Sequence, residues 1–361
     1  MNGIPPSSQS TAPWSVWGHH SVQSQLHQDI LRGRVRHAYL IAGPEGVGKT
    51  TLAHAFCQAM LCQSPIVSGV PCDQCLACRK ISRGVHPDVQ TFSLASQTMS
   101  AGSKATKNTT LTIETVRELC STASLRPMEG RWRITLVEDA EALQGVAQEA
   151  MLKTLEEPPS FMIMVLLAND AELLLPTIRS RCQVIELRPV HRSLIREGLV
   201  MSGVATDKAD DLSALAAGSP GWAKRALNEP KLVEQRRQSV GKALDWISAT
   251  GYERLVAAVK IGDSFTKRRA ETFTDLDTLL GVWRDALLLH AGQTDYLTFR
   301  GQLDRIQDVA GAWQIEEVHR AVHSVQACIA DLEANVRPRL ALEAMVLQWP
   351  NPQTSQPALR H

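Results

Sequence analysis

The segment Gly43-Pro44-Glu45-Gly46-Val47-Gly48-Lys49-Thr50 satisfies the pattern G-x-x-x-x-G-K-[ST] without a mismatch. It follows the apolar run His37 to Ala42, which reads as a strand, and opens Thr50 to Leu61, which reads as a helix. A strand, a glycine-rich turn and a helix in that order form the context in which this pattern cradles phosphate, and such flanks disfavour a chance turn. Glycines let backbone N–H groups turn inward around phosphate oxygens, and the helix start adds a favourable dipole. Lys49 is expected to reach the outer phosphates and Thr50 to ligate Mg²⁺. Gly43, Gly46, Gly48 and Thr51 complete the expected nucleotide-contacting set, with ATP and Mg²⁺ as the matching cofactor.

Downstream, strand-like and helix-like runs alternate. Asp88 to Leu94, Arg133 to Val137, Phe161 to Ala168 and Gln183 to Leu187 read as strands. Ile113 to Leu125 and Val146 to Glu157 carry helical spacing, the second stopped by Pro158-Pro159. This alternation predicts an α/β core with a parallel sheet and helices on both faces. Past residue 190 the texture turns helical. The expected organisation is a tail at 1–13, an α/β core at 14–189, a small helical lid at 190–229, an α-helical domain at 230–348 and a second tail at 349–361.

Nucleotide hydrolysis needs an acidic element at the end of a neighbouring strand. The candidate is Glu138-Asp139, after Arg133 to Val137. The usual order is Asp, for the metal, then Glu, for the attacking water. Reversal moves each carboxylate by about one CH₂, and a displacement of ~1 Å can cost on the order of 100-fold in rate. The expectation is nucleotide binding with weak or absent hydrolysis.

Half of the eight cysteines fall within 17 residues, as Cys62, Cys72, Cys75 and Cys78, spaced C-x9-C-x2-C-x2-C. Four thiolates satisfy a tetrahedral Zn²⁺, and two-residue gaps let one knuckle present two sulfurs to one ion. With no open coordination position implied, the expected role is structural. Cys57, Cys120, Cys182 and Cys328 sit in apolar or helical surroundings and read as core thiols.

Lys plus Arg is 38 and Asp plus Glu is 37, a net charge of +1, which excludes a blanket basic surface for nucleic acid. Arg126, Arg131 and Arg133 could still make a local patch. The longest apolar run, Phe161 to Ala168, is eight residues, against about 20 for a spanning helix. The N-terminal MNGIPPSSQSTAP lacks a basic n-region and an apolar h-region, so a cytoplasmic protein with reduced thiols is expected.

Further markers stand in a fixed order. His37-Ala38-Tyr39-Leu40 runs into the phosphate loop, and the four-cysteine module follows the phosphate-loop helix. Then come His86-Pro87-Asp88, the run Leu152-Lys153-Thr154-Leu155-Glu156-Glu157-Pro158-Pro159, and a strand ending in Ala168-Asn169. Thr177-Ile178-Arg179-Ser180-Arg181-Cys182 and Gly218-Ser219-Pro220-Gly221 close the series. From residue 17 to about 228 this order resembles the clamp-loader branch of the AAA+ ATPases, and within it the delta-prime family of bacterial DNA polymerase III subunits.

The resemblance implies a P-loop AAA+ core, a helical lid and a helical oligomerisation collar. It makes the four clustered cysteines zinc ligands. It makes Asn169 the polar residue that senses the γ-phosphate, and Arg181 a finger serving an adjacent subunit's ATP site. Either Lys224 or Arg225 matches a second sensor. The implied role is a hetero-oligomeric ring component, with gamma/tau and delta subunits as neighbours. Such a ring loads a sliding clamp onto primed DNA within the DNA polymerase III holoenzyme, away from membranes. Many members of the delta-prime family have lost the phosphate loop; here it is intact. The gamma/tau motor is the main alternative. Against it stand the Glu138-Asp139 order, the Gly218–Gly221 turn and a short chain without a long C-terminal extension. A free-standing P-loop ATPase or nucleotide kinase is a further alternative. A kinase would need an arginine-rich lid near the loop, where this chain carries cysteines instead.

Overall fold

Seven consecutive residues, Met162–Ala168, are all buried. Successive side chains of a strand point to opposite faces, so a continuous apolar run requires a strand covered on both sides. Ile163, Val165 and Leu167 pack into one core cluster with Leu52 and Phe56. Met164, Leu166 and Ala168 pack into another with Leu119, Met151 and Leu155.

The computed structural model describes residues 13–100, 110–143 and 145–351. The expected tails at 1–13 and 349–361 lie outside the described residues, except for Pro13 and residues 349–351. The chain divides into two compact units: one runs through residue 194 and includes 218–221, and the other comprises 195–217 and residues from 222 onward.

The first unit contains five strands: β1 (Ala38–Ala42), β2 (Val89–Phe92), β3 (Arg133–Val137), β4 (Met162–Ala168) and β5 (Gln183–Glu186). All pairings are parallel, in the order β2-β3-β4-β1-β5. Helices α1 (His20–Leu31), α2 (Lys49–Leu61), α3 (Leu76–Ser82), α4 (Leu94–Ser100), α5 (Ile113–Ala123), α6 (Gly145–Glu156) and α7 (Pro176–Arg179) accompany the sheet. Leu26 of α1 and Leu52 of α2 lie on one face; Leu119 of α5 and Met151 of α6 lie on the other. This is the α/β P-loop architecture expected from the alternation of runs. Among the described residues no helix is long and apolar enough to cross a membrane.

Short helices α8 (Arg192–Met201), α9 (Thr206–Leu215) and α10 (Pro220–Asn228) follow, then α11 (Pro230–Ser248), α12 (Gly251–His290), α13 (Leu303–Ala312), α14 (Ile315–Glu333) and α15 (Pro338–Leu347). Thr250 and Glu253 form a capping box at the start of α12, and Arg268 interrupts that helix with φ −125° and ψ 29°. The second unit closes around Trp283, whose ring centroid lies 5.4 Å from that of Trp313 and 5.7 Å from that of Trp349. Arg254 is buried beside them and donates to Pro350 O at 2.6 Å and to Ile247 O. Trp349, expected to begin a tail, is therefore core: its ring is buried and its Nε1 donates to Ser324 Oγ at 3.1 Å.

In the first unit, the His86-Pro87-Asp88 segment proves to be a tether. Buried Asp88 accepts from the backbone N–H groups of Met128 at 2.5 Å, Glu129 at 2.8 Å and Gly130 at 2.7 Å, with Arg133 at 3.8 Å. Glu129 in turn accepts from Lys80 of α3 at 2.6 Å. The loop entering β3 is thus tied to the helix that carries Cys78. Burial works against the Asp88 carboxylate, but the three amide donors outweigh it and hold its pKa below the usual 3.8. Asp88→Asn replaces one accepting oxygen by a donor facing N–H groups, and a loss of about 3 kcal/mol is expected. A group with a depressed folded pKa stabilises fully above its unfolded pKa and loses that contribution as pH falls through the folded value. The stability gap between wild type and Asp88→Asn should therefore be constant near neutrality and close below about pH 4. Urea melts across pH check this; a gap that does not shrink as pH falls below about 4 would contradict it.

Candidate functional site

In a parallel sheet all strand ends of one sense lie on one edge. β1 runs directly into the phosphate loop, β4 ends beside Asn169, and β3 ends beside Glu138. Because β4 lies between β1 and β3, Asn169 is one strand from the loop and Glu138 is two, about 10 Å away at the usual strand spacing.

The loop depends on glycine at its base. Gly43, Gly46 and Gly48 have φ of 151°, 74° and 114°. A Cβ on Gly43 would stand 2.3 Å from Leu187 O. Gly221 N–H donates to Gly46 O at 2.8 Å, and a Cβ there would stand 2.9 Å from the same oxygen. His19 Nε2 lies 3.0 Å from Val47 O, and burial keeps its pKa below the ordinary value.

Lys49 is fully engaged. Its Nζ donates to Gly43 O at 2.5 Å, Pro44 O at 3.1 Å and Asn169 Oδ1 at 2.8 Å. Burial lowers its pKa, against the opposing pull of Glu141, Glu45 and Asp139. A cleft of about 400 Å³ opens above it, lined by Gly46, Gly48, Lys49, Thr50, Thr51, Glu138, Asp139 and Asn169 among others. The expected nucleotide residues thus meet in one place. Gly43 is the exception: it does not line the cleft but packs beneath the loop against Leu187.

The acidic segment turns sharply. Asp139 adopts φ 53° and ψ 44° and heads a short 3₁₀ turn, Ala140–Ala142. Asp tolerates this left-handed conformation better than most residues. The turn brings Glu141 into the cleft as a third carboxylate from this segment. Burial raises the pKa of Glu138, and the adjacent Asp139 adds to it. Burial also raises that of Glu141, opposed by its own backbone N–H and that of Asn169. Sequence reasoning missed Glu141; the only signal was an acidic residue three positions after Glu138.

Arg181 is not part of the cleft. Its guanidinium donates to Thr177 O at 2.8 Å and to Glu156 Oε1 at 2.6 Å, with both side chains partly exposed. Arg179 points elsewhere and pairs with Glu172. Lys224 and Arg225 are exposed on α10.

The four clustered cysteines converge, with all Sγ atoms within 4.8 Å of one another. Cys62 Sγ is 3.6 Å from Cys72 Sγ and 3.9 Å from Cys75 Sγ. Four thiolates with bonds of ~2.3 Å to a tetrahedral ion stand ~3.8 Å apart, so the spacing fits such an ion. The N–H groups of Cys75 and Cys78 donate to Cys72 Sγ and Cys75 Sγ at 3.3 and 3.4 Å, as a negatively charged sulfur requires. Burial works against the Cys75 thiolate, but the donors around it prevail and bring the thiol down to about 6. In Cys62 and Cys78 burial prevails and raises the thiol, as it does in Cys57, Cys182 and Cys328, which it pushes up to about 12. The module docks on α1 through Gly69, where a Cβ would meet His27 at 2.7 Å, and on the segment before α1 through Trp14 Nε1, which donates to Gly69 O at 2.9 Å.

The sequence profile described as "DNA polymerase III, delta subunit" matches residues 18–191, and the profile of its C-terminal region matches residues 235–351. The chain belongs to the DNA polymerase III delta-subunit family. Among relatives of this family, the DNA polymerase III subunit delta' of Pseudomonas aeruginosa is 29% identical over 325 residues, covering 88% of this chain and 94% of that protein. The delta' subunit of Bacillus subtilis is 24% identical and covers 90% of this chain and 94% of that protein. The tau/gamma subunit of Haemophilus influenzae is 27% identical over 82% of this chain, but only 38% of that longer protein is covered.

The cysteine geometry generates a direct expectation. Reduced, freshly purified protein should carry about one equivalent of metal per chain, and Cys75→Ser should lose it and open residues 62–82 to proteolysis. Elemental analysis and limited proteolysis check this; metal well below one equivalent in wild type would refute the site.

Proposed function

We propose that this chain is a delta-prime-type subunit of a bacterial clamp loader: a ring component that holds its own fold with Zn²⁺ and supplies Arg181 to an ATP site on a neighbouring subunit. The observation that carries the reading is the position of Arg181. It stands apart from the chain's own cleft, on the short α7–β5 connection, and its contacts are local: Thr177 O, Ser180 Oγ and a partly exposed ion pair with Glu156. Such pairs are worth at most about 1 kcal/mol, so an incoming phosphate can take the guanidinium over. Near-complete coverage of the delta' relatives supports the same reading.

Within this reading the helices of residues 230–348 serve as the collar through which gamma/tau and delta subunits assemble. The assembled ring acts on a sliding clamp and primed DNA. The cleft is a nucleotide site: Gly46, Gly48, Lys49, Thr50 and Thr51 would hold phosphates and Mg²⁺, and Asn169 would report on the outer phosphate. Lys49, whose Nζ donates to Asn169 Oδ1, would be the side chain that holds the phosphate charge a nucleotide supplies.

Own hydrolysis is expected to be weak or absent, because the order Glu138-Asp139 is reversed and no second chain contributes a finger. ATP turnover by the isolated chain should stay near background; robust turnover abolished by Lys49→Ala would favour a gamma/tau-type motor, the reading that the intact phosphate loop itself supports.

Arg181→Ala should leave folding, metal content and ring assembly intact while lowering DNA- and clamp-stimulated ATP hydrolysis by the reconstituted loader. A finger is worth ~10³–10⁵ at its own site, and a ring has several sites, so the total falls by less. Arg181→Lys should rescue poorly, since an ammonium lacks the planar fork. Arg179→Ala, which frees Glu172 instead, should matter less. Equal ATP turnover and clamp loading by wild type and Arg181→Ala would overturn the assignment.

A further inference from the structure

Glu141 is unaccounted for by the roles above. It follows the acidic pair by two residues, in the short turn after left-handed Asp139, and lines the same cleft as the phosphate loop. Its Oε2 is buried and has no hydrogen-bond partner. Its carboxylate faces the backbone N–H of Asn169 and is the strongest acidic influence on Lys49, ahead of Glu45 and Asp139. Asn169 and Lys49 are the two residues that touch each other at 2.8 Å. Glu141 therefore occupies the junction of the phosphate-loop lysine and the polar residue at the end of β4.

The charge balance of the cleft sharpens the point. Among the described residues, four carboxylates, those of Glu45, Glu138, Asp139 and Glu141, line it with a single cationic side chain, Lys49. A lysine in this loop reaches the β- and γ-phosphates. A diphosphate can use Lys49 and the backbone N–H groups of the loop. A triphosphate must in addition place its terminal, most highly charged group where Lys49 meets Asn169, beside a half-buried carboxylate. Like charges brought together out of water repel strongly.

We propose that Glu141 is a specificity-determining residue that makes this cleft prefer a nucleoside diphosphate to a triphosphate. The proposal rests on the reading of the cleft as a nucleotide site and gives that site a direction: it retains the hydrolysed form of the nucleotide. The cleft then works as a holding site for ADP and not as a motor. An anionic terminal phosphate is admitted only at the cost of displacing or neutralising Glu141.

The test is equilibrium titration of the full-length protein with ADP and with ATP, each with Mg²⁺, at neutral pH and fixed ionic strength. Wild type and Glu141→Gln are compared, with metal content and circular dichroism confirming that both are folded. Wild type should bind ADP at least about tenfold more tightly than ATP. Glu141→Gln keeps the shape and removes the charge, so it should bring the two affinities within about twofold, mainly by improving ATP. Glu141→Asp retains the charge and should retain the preference. If wild type and Glu141→Gln bind ADP but show the same ADP-to-ATP ratio, the assignment to Glu141 is wrong while the nucleotide site stands. A selective loss of ATP affinity in Glu141→Gln would also overturn it, by making Glu141 a ligand of the metal–nucleotide complex. If no variant binds either nucleotide, the reading of the cleft and this proposal fail together.

Discussion

Backbone-to-backbone packing at the carboxyl end of β1 is the constraint on which the first unit depends. Gly43 N–H donates to Ala168 O at 3.2 Å, and Leu187 N–H donates to Ala42 O at 2.7 Å. β1 is thereby locked to β4 on one side and to the exit of β5 on the other. There is no room between them for a side chain at Gly43. The loop that follows has its starting point fixed by these contacts. Every functional distance at that edge follows from it, including Lys49 to Asn169.

The parts of the site that were legible in the sequence are those whose chemistry is contiguous. The phosphate loop spans eight residues and the cysteine module 17, and in both the spacing itself encodes the geometry. Asn169 was legible only through the order of motifs, since nothing local distinguishes it from any strand-terminal polar residue. Glu141 was not legible. Its importance comes from a left-handed residue at 139 and from β4 lying between β1 and β3, and neither is visible in a string of residues. The same holds for Asp88. In sequence it was one member of a marker triplet; in the fold its carboxylate collects three N–H groups from a loop some 40 residues away.

The second unit shows the complementary limit. Its helices were legible as texture, but the seat of its core was not. An arginine within a helical segment ordinarily reads as a solvated surface residue. Arg254 is instead enclosed, 5.8 Å from the Trp313 ring centroid and 5.5 Å from that of Trp349. Its hydrogen bond to Pro350 O holds the chain beyond α15 in the core. A buried charge is tolerated here because carbonyl oxygens and aromatic faces replace water as its solvation shell.

The close approach at Gly43 has an evolutionary corollary. Two physical constraints meet at this edge, and they fall on different residues. Gly43 answers to the oxygen of Leu187 and Gly221 to the oxygen of Gly46, whatever ligand the cleft takes. Lys49 and Thr50 answer to the ligand. A lineage that abandoned nucleotide could let Lys49 and Thr50 drift freely, yet it would still be obliged to keep glycine at the first position. A surviving first glycine in a decayed phosphate loop is therefore a fossil of packing, and the lysine is the letter that records use.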